Sequence, residues 1–202
     1  MSPAAGKRAD RKKAADSTPR PRKTPKVEVF LDAGEIARAL DRIKTAIRRE
    51  FPDPSRLVLL GVRTRGVPLA DRLGEALGRL YGCEIPRGML DITLYRDDLS
   101  TLDYQPMVRD SEIPFDITGA HIVLVDDVLF TGRTVRAALD EIIDFGRPSL
   151  VRLAVLVDRG GREYPIQADY VGKTIELSES QFVRVQLAEV DGKDEVLLLD
   201  RK

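Results

Sequence analysis

Residues 121–138 read HIVLVDDVLFTGRTVRAA, and few folds accommodate side chains in that order. Four apolar residues, Ile122 to Val125, predict a strand buried on both faces, as strands inside a parallel sheet are. Asp126 and Asp127 follow where such a strand is expected to end. A small hydroxyl-rich turn, Thr131-Gly132-Arg133-Thr134, then leads into a helix-like run from about Val135. Strand, acid pair, turn and helix start together make a place for a phosphorylated sugar. The carboxylates can accept hydrogen bonds from two neighbouring ribose hydroxyls, and the turn offers hydroxyls, backbone N–H groups and a helix N-terminus to a phosphate. A doubly wound domain whose strand ends in two acids by chance explains the acids or the turn, but not both at this spacing. The chain has no G-x-x-x-x-G-K-[ST] loop and no G-x-G-x-x-G after a strand, so NTP hydrolysis and dinucleotide binding lose their usual support.

The rest of the chain supplies the alternation such a sheet needs. Folded structure is expected from Val27. Asp32 with Glu35 forms a D-x-x-E capping box, and Ile36, Leu40, Ile43 and Ile47 recur at helical spacing, which predicts a helix over 33–50. Buried strands are predicted at 56–63 (RLVLLGVR) and 150–157, and a mixed strand at 89–95. Helices are predicted at 67–80, with Pro68 near its start, and at 134–145, where Val135, Ala138, Leu139, Ile142 and Ile143 fall together. Short strands at Tyr170, 182–190 and 196–199 finish the chain, with a turn at Asp191-Gly192. The polar stretch 97–115 is long enough to be functional or mobile. Strands alternating with helices predict an α/β fold with a mainly parallel central sheet covered on both faces. Ligands bind such sheets at the carboxyl ends of the strands. Three of those ends carry chemistry: 63–66, 126–134 and 158–160.

With 202 residues the chain makes one domain with a full core. A single cysteine, Cys83, excludes an intrachain disulfide or a multi-cysteine metal site, and no apolar run is long enough to span a bilayer. These features point to the cytoplasm. The neutral net charge hides an asymmetry. Residues 1–26 carry nine basic and two acidic side chains, a net of +7, which leaves −7 on 27–202. The basic segment has almost no large apolar residue and is expected to be a disordered tail, either simply solvated or an electrostatic arm for nucleic acid.

The wording of 121–138 resembles the phosphoribosyl-diphosphate (PRPP) signature of the type I phosphoribosyltransferases. LLGVRTRG at 59–66, DITLYRDDLS at 91–100, the block 113–140, GRPS to DRG at 146–160 and ADYVGKT at 168–174 extend the likeness. They are similar to the PyrR-type bifunctional family, which joins pyrimidine-operon regulation to uracil phosphoribosyltransferase activity. The resemblance covers 27–202. It implies the type I phosphoribosyltransferase fold, with a small hood and a flexible active-site loop. It also implies transfer of the phosphoribosyl group from PRPP to uracil, giving UMP and diphosphate, with Mg²⁺ carried by PRPP near Asp126 and Asp127.

In that family's pattern Asp126 and Asp127 meet the ribose hydroxyls, and Thr131, Gly132, Arg133 and Thr134 meet the 5′-phosphate, with Val128, Leu129 and Phe130 between them. Thr64, Arg65 and Gly66 meet the diphosphate. Val157, Asp158 and Arg159 read the base, and Tyr95, Arg96, Asp97 and Asp98 open the closing loop. Arg65, Asp126 and Asp127 are the expected catalytic residues. Phe130 stands where purine-specific relatives place an Asp, which disfavours purines. No general base for uracil is assigned.

The resemblance also implies UMP-dependent binding of pyr operon mRNA and a homodimer or higher homo-oligomer. RNA needs a basic surface, for which Arg38, Arg42, Arg162 and Lys173 are candidates, with Arg48 and Arg49 on the same helix as the first two. Asp41 and Glu50 among those arginines, and Gln167 in place of a basic residue, depart from that pattern. His121, Cys83, Met89 and Met107 are expected to be structural or packing residues.

Overall fold

The structure is a computed structural model and describes residues 27–95, 111–178 and 180–200. The basic tail and Arg96, Asp97, Asp98 and Met107 lie outside the described residues. Five parallel strands form the main sheet in the order β3-β2-β4-β5-β6: β2 (Leu57–Val62), β3 (Arg87–Leu90), β4 (His121–Leu129), β5 (Leu150–Asp158) and β6 (Tyr170–Thr174). The helices are α1 (Ala33–Glu50), α2 (Gly66–Tyr81) and α3 (Arg133–Phe145). A second, antiparallel sheet in the order β1-β8-β7 joins the two ends of the described chain. Its strands are β1 (Val27–Leu31), β7 (Gln181–Gln186) and β8 (Glu195–Asp200), with a four-residue helix, α4 (Ala188–Asp191), between β7 and β8.

The core divides at the main sheet. Ile36, Ile43 and Ile47 of α1 and Leu69, Leu73 and Leu77 of α2 pack with Leu57, Leu59, Val123 and Leu156 on one face. Val135, Ala138 and Ile142 of α3 pack with Leu60, Ile122, Leu124 and Val155 on the other. The capping box forms as expected: Asp32 accepts from the Glu35 N–H at 2.8 Å, and Glu35 returns the bond to the Asp32 N–H at 3.0 Å.

The chain runs one way from β2 to β3 and the other from β4 to β5, so the direction of winding reverses between β2 and β4. A crevice opens there at the carboxyl ends, and register sets its floor. Gly61 lies beside Val125, and Leu129 lies beside Asp158.

Several expectations are corrected. β4 does not stop before the acids but carries both and ends at Leu129, because β5 keeps pairing with it at Val128 and Leu129 after β2 has ended. The strand expected at 89–95 ends at Leu90. The Asp91 side chain accepts hydrogen bonds from the Thr93 N–H at 3.0 Å and from the Thr93 hydroxyl, and this turns the chain into a 3₁₀ turn, Ile92–Tyr95. Ile143 is 70% exposed, whereas Glu141 sits on the buried side of α3 at 4%. The stripe there follows Val135, Ala138 and Ile142, and Ile143 falls past its edge. The run expected as one strand over 182–190 breaks into β7 and α4. Cys83 is exposed rather than packed. Met89 does more than fill space, since its sulfur accepts from Arg63 Nη2 at 2.7 Å.

Candidate active site

A cleft of about 560 Å³ occupies the crevice, lined by Arg63, Thr64, Arg65, Asp91, Ile92, Thr93, Asp126, Asp127, Val128 and Thr134. The sequence pointed to Thr64, Arg65, Asp126, Asp127, Val128 and Thr134. Arg63 belongs to the strand end 63–66 that the sequence also marked; Asp91, Ile92 and Thr93 were missed, although Asp-x-Thr after an apolar strand is a turn signal.

Arg65 reaches the cleft because Gly66 lets α2 start directly against β4. A Cβ at Gly66 would stand 2.3 Å from the Val125 carbonyl oxygen, so any larger residue would push α2 and Arg65 away. The Arg63–Thr64 peptide just before it is cis. The Arg65 fork is held by Asp191 of α4, with Nε to Oδ2 at 3.1 Å and Nη2 to Oδ1 at 2.8 Å. That hydrogen-bonded pairing, with a smaller contribution from Asp127, raises the Arg65 pKa further.

The acid pair is arranged differently. Asp126 is 6% exposed. Its Oδ1 accepts the Asp127 N–H at 2.8 Å, and Asp127 Oδ1 accepts the Val128 N–H at 2.8 Å. Burial lifts the Asp126 carboxyl well above the usual carboxylate range, and the neighbouring charge of Asp127 adds to the lift. Burial also raises Asp127, opposed by the hydrogen bonds with Asp126 and Val128 and by the positive charge of Arg65. Two adjacent, partly desolvated carboxyls are costly to ionise together, and hydrogen-bond donors from a sugar diol would relieve that cost. Among the described residues no cluster of three or more His, Cys, Asp or Glu side chains is placed to hold a metal ion. A cation at these acids would therefore share its coordination with a ligand.

The turn after β4 opens α3. Gly132 has φ of +92°, and a Cβ there would lie 3.1 Å from that of Tyr164. The Thr131 hydroxyl accepts the Arg133 N–H at 3.3 Å. The Glu163 and Tyr164 N–H groups both donate to the Thr131 carbonyl, at 2.9 and 3.0 Å. Arg133 turns outward, pairing with Glu163 at Nε–Oε2 2.8 Å and lying over the Tyr164 ring. The turn thus presents backbone and hydroxyls to an anion at a helix N-terminus.

The end of β5 closes the side next to Phe130. The Arg159 N–H donates to the Leu129 carbonyl at 3.1 Å, and its guanidinium lies 3.8 Å from the centre of the Phe130 ring. Gly161 also packs against that ring, where a Cβ would approach it to 2.5 Å. Asp158 accepts from the Gly160 N–H at 3.0 Å and from Arg162 Nη2 at 2.5 Å, and the Arg162 pairing holds it below the usual carboxylate range despite burial. Val157 is fully buried in the ladder between β4 and β6.

The candidate RNA residues are not gathered on one face. Arg38 and Arg42 are exposed on α1, and Arg42 Nη2 donates to the Gly172 carbonyl at 2.6 Å. Alternation along β6 turns Tyr170 toward α1 and Val171 toward the α3 side, which places exposed Lys173 on the α3 side as well. Arg162 points inward, donating to the Phe130 and Ile166 carbonyls and to Asp158.

Comparisons with known proteins agree with this geometry. The family model described as the phosphoribosyl transferase domain matches residues 26–191. The bifunctional protein PyrR of Deinococcus radiodurans is 54% identical over 176 residues, spanning 87% of this chain and 96% of that protein. Those of Thermus thermophilus and Chloroflexus aurantiacus are 54% and 56% identical, spanning 86% and 84% of this chain and 96% and 93% of theirs. The hypoxanthine phosphoribosyltransferase of Trypanosoma cruzi superposes with a TM-score of 0.64 at 20% identity, covering 87% of this chain and 97% of that one. At that identity the superposition speaks for the fold alone. With the match to the domain spanning most of the chain and PyrR relatives above half identity, the chain belongs to the bifunctional PyrR family of phosphoribosyltransferases.

Proposed function

We propose that this protein transfers the phosphoribosyl group of PRPP to uracil, releasing diphosphate and UMP, and that it binds pyr operon mRNA more tightly when UMP fills the same site. The observation that carries the enzymatic reading is the placement of two adjacent acids, Asp126 buried and Asp127 half-buried, and Arg65 in one cleft, with the Thr131–Thr134 turn beside them. Asp126 and Asp127 accept hydrogen bonds from the ribose hydroxyls. Thr131, Gly132 and Thr134 cup the 5′-phosphate, and Thr64, Arg65 and Gly66 meet the diphosphate.

Cleavage at the anomeric carbon builds positive charge on the ribose and negative charge on the departing diphosphate, so positioning and electrostatics do most of the work. Arg65 stabilises the leaving group, and the acids face the developing positive charge. Asp126 and Asp127 are the residues that would hold a magnesium ion carried by PRPP, and such an ion would neutralise part of the diphosphate charge. The Phe130 ring, against which Arg159 and Gly161 both pack, cannot exchange a proton and fills space next to the base, which favours a single-ring substrate. Val157, Asp158 and Arg159 read that base.

The regulatory half rests on the PyrR relatives and on exposed cations, Arg38 and Arg42 on α1 and Lys173 on β6, while Arg162 braces the nucleotide site through the Phe130 carbonyl and Asp158. The basic segment 1–26 adds positive charge ahead of the phosphoribosyltransferase domain, 27–202. The protein works in the cytoplasm as a homodimer or larger homo-oligomer. No helix among the described residues is long and apolar enough to cross a membrane.

The test mixes protein, Mg²⁺ and PRPP with each nucleobase in turn and measures nucleotide formed, then measures RNA binding over a salt series with and without UMP. UMP formation from uracil alone, with UMP-strengthened RNA binding, is expected. Product from a purine, or none from any base, overturns the enzymatic reading. RNA binding indifferent to UMP overturns the regulatory one.

A further inference from the structure

The C-terminal sheet reaches the cleft where Asp191, on the connection between β7 and β8, meets Arg65. α4 has only four residues and cannot hold itself in place, yet two arginines of the α2 region grip it. Arg65 binds Asp191 in a fork, and Asp191 Oδ2 also accepts the Leu187 N–H at 3.0 Å. Arg72 lies seven residues on, two turns along the same face of α2. It binds Glu189 through Nε and Nη2 at 2.8 and 2.6 Å, and Asp194 through Nη1 and Nη2 at 2.8 and 2.7 Å. The Arg72 half of this clasp holds α4 through Glu189 and lies outside the cleft lining. The Arg65 half engages a residue that lines the cleft. A guanidinium has five N–H donors in a fixed plane. Asp191 takes two of Arg65's, on the Nε–Nη2 edge, and leaves three on the other side.

We propose that Asp191 is a positioning residue for phosphoribosyl transfer. By occupying one edge of the Arg65 guanidinium it fixes the remaining N–H donors toward the diphosphate, and so makes the antiparallel sheet part of the catalytic apparatus. This rests on the reading that Arg65 meets the diphosphate. An unheld arginine at that place would have to be ordered by the substrate itself, which lowers the fraction of bound complexes in a reactive geometry.

Asp191→Asn and Asp194→Asn each remove one carboxylate from the same clasp, and only the first touches Arg65. Steady-state kinetics and calorimetric titration with inorganic diphosphate and Mg²⁺ are run on the full chain and both variants. D191N is expected to lose about tenfold or more in kcat and a similar factor in diphosphate affinity, with KM for uracil unmoved. D194N is expected to keep wild-type kcat while melting at a similarly reduced temperature. Turnover and diphosphate binding of D191N equal to those of D194N would overturn the proposal. If D191N does not fold, Asp191→Glu, which keeps the charge but displaces the fork, replaces it in the same comparison. Wild-type protein that forms no UMP would defeat the enzymatic reading instead, and the diphosphate titration would still judge Asp191.

Discussion

Carboxylates in two regions of this molecule are driven in opposite directions. Glu189, Asp191 and Asp194 each face an arginine, and that pairing holds each below its usual range, Asp191 and Asp194 with help from a backbone N–H. Asp126 is buried and Asp127 half-buried beside it, and loss of solvation raises both. The clasp acids are already satisfied by their arginines and hold the elements, Arg65 included, in place. The cleft acids sit in a site that destabilises their charge until something else arrives. A ligand that brings hydroxyls and a cation gains what the folded protein leaves uncompensated, which is how binding energy is concentrated at one place in a neutral chain.

The largest effect should come from Arg65, which belongs to both regions. Arg65→Ala is expected to lower kcat about a hundredfold or more, the scale of losing one preorganised donor to developing negative charge; steady-state turnover checks it. Asp126→Asn should divide the two properties. PRPP affinity by calorimetry should fall about tenfold or more with a donor and an acceptor in place of two acceptors. Yet the free protein should melt higher, by about 2–4 °C for each ~1 kcal/mol of relieved ionisation cost. A melting temperature that falls would show that the cleft acids stabilise the fold, as the clasp acids do.

The pH dependence separates the regions by sign. A carboxyl with a raised folded pKa favours the folded protein at low pH and loses that contribution as pH rises through the folded value. The clasp acids, with lowered values, stabilise at neutral pH, and their contribution is lost only as pH falls through the folded, depressed range. PRPP affinity should therefore weaken on acidification while the clasp is still intact, beginning above the usual carboxylate range. A calorimetric pH series read beside thermal melts checks the order.

Gly132→Ala should have a smaller effect, raising KM for PRPP several-fold, because a side chain at φ +92° costs about 1–2 kcal/mol and presses on Tyr164. Least of all, Arg38→Ala should leave turnover unchanged and reduce the slope of log affinity for RNA against log salt by about one unit, as expected for a single lost phosphate contact.

Much of the site was legible because it is local. The apolar run, two acids and Thr-Gly turn in 121–138 lie on consecutive residues, and one strand, one turn and one helix start express them in order. The α1 capping box was legible for the same reason. What was missed depends on distance along the chain. Arg65 and Asp191 are 126 residues apart, and nothing around Asp191 distinguishes it from a solvated acid. β1 was not recognised as a strand, since Val27 and Val29 remain exposed and its partner β8 lies at the other end of the chain. Glu141 follows helical spacing but is charged, so its burial could not be read from the apolar stripe. It receives the Ser111 hydroxyl, and Ser111 Oγ in turn accepts the Asp91 N–H at 2.7 Å. That network needs three separate segments to be in place.

Calorimetric titration of PRPP with Mg²⁺ into the wild-type protein and into a variant with both Asp126 and Asp127 replaced by Asn tests the central claim most directly. Saturable binding to the wild type, lost in a double variant that still folds, is the predicted result. No binding to the wild type, or equal binding to both proteins, would contradict the assignment of the cleft acids to the sugar.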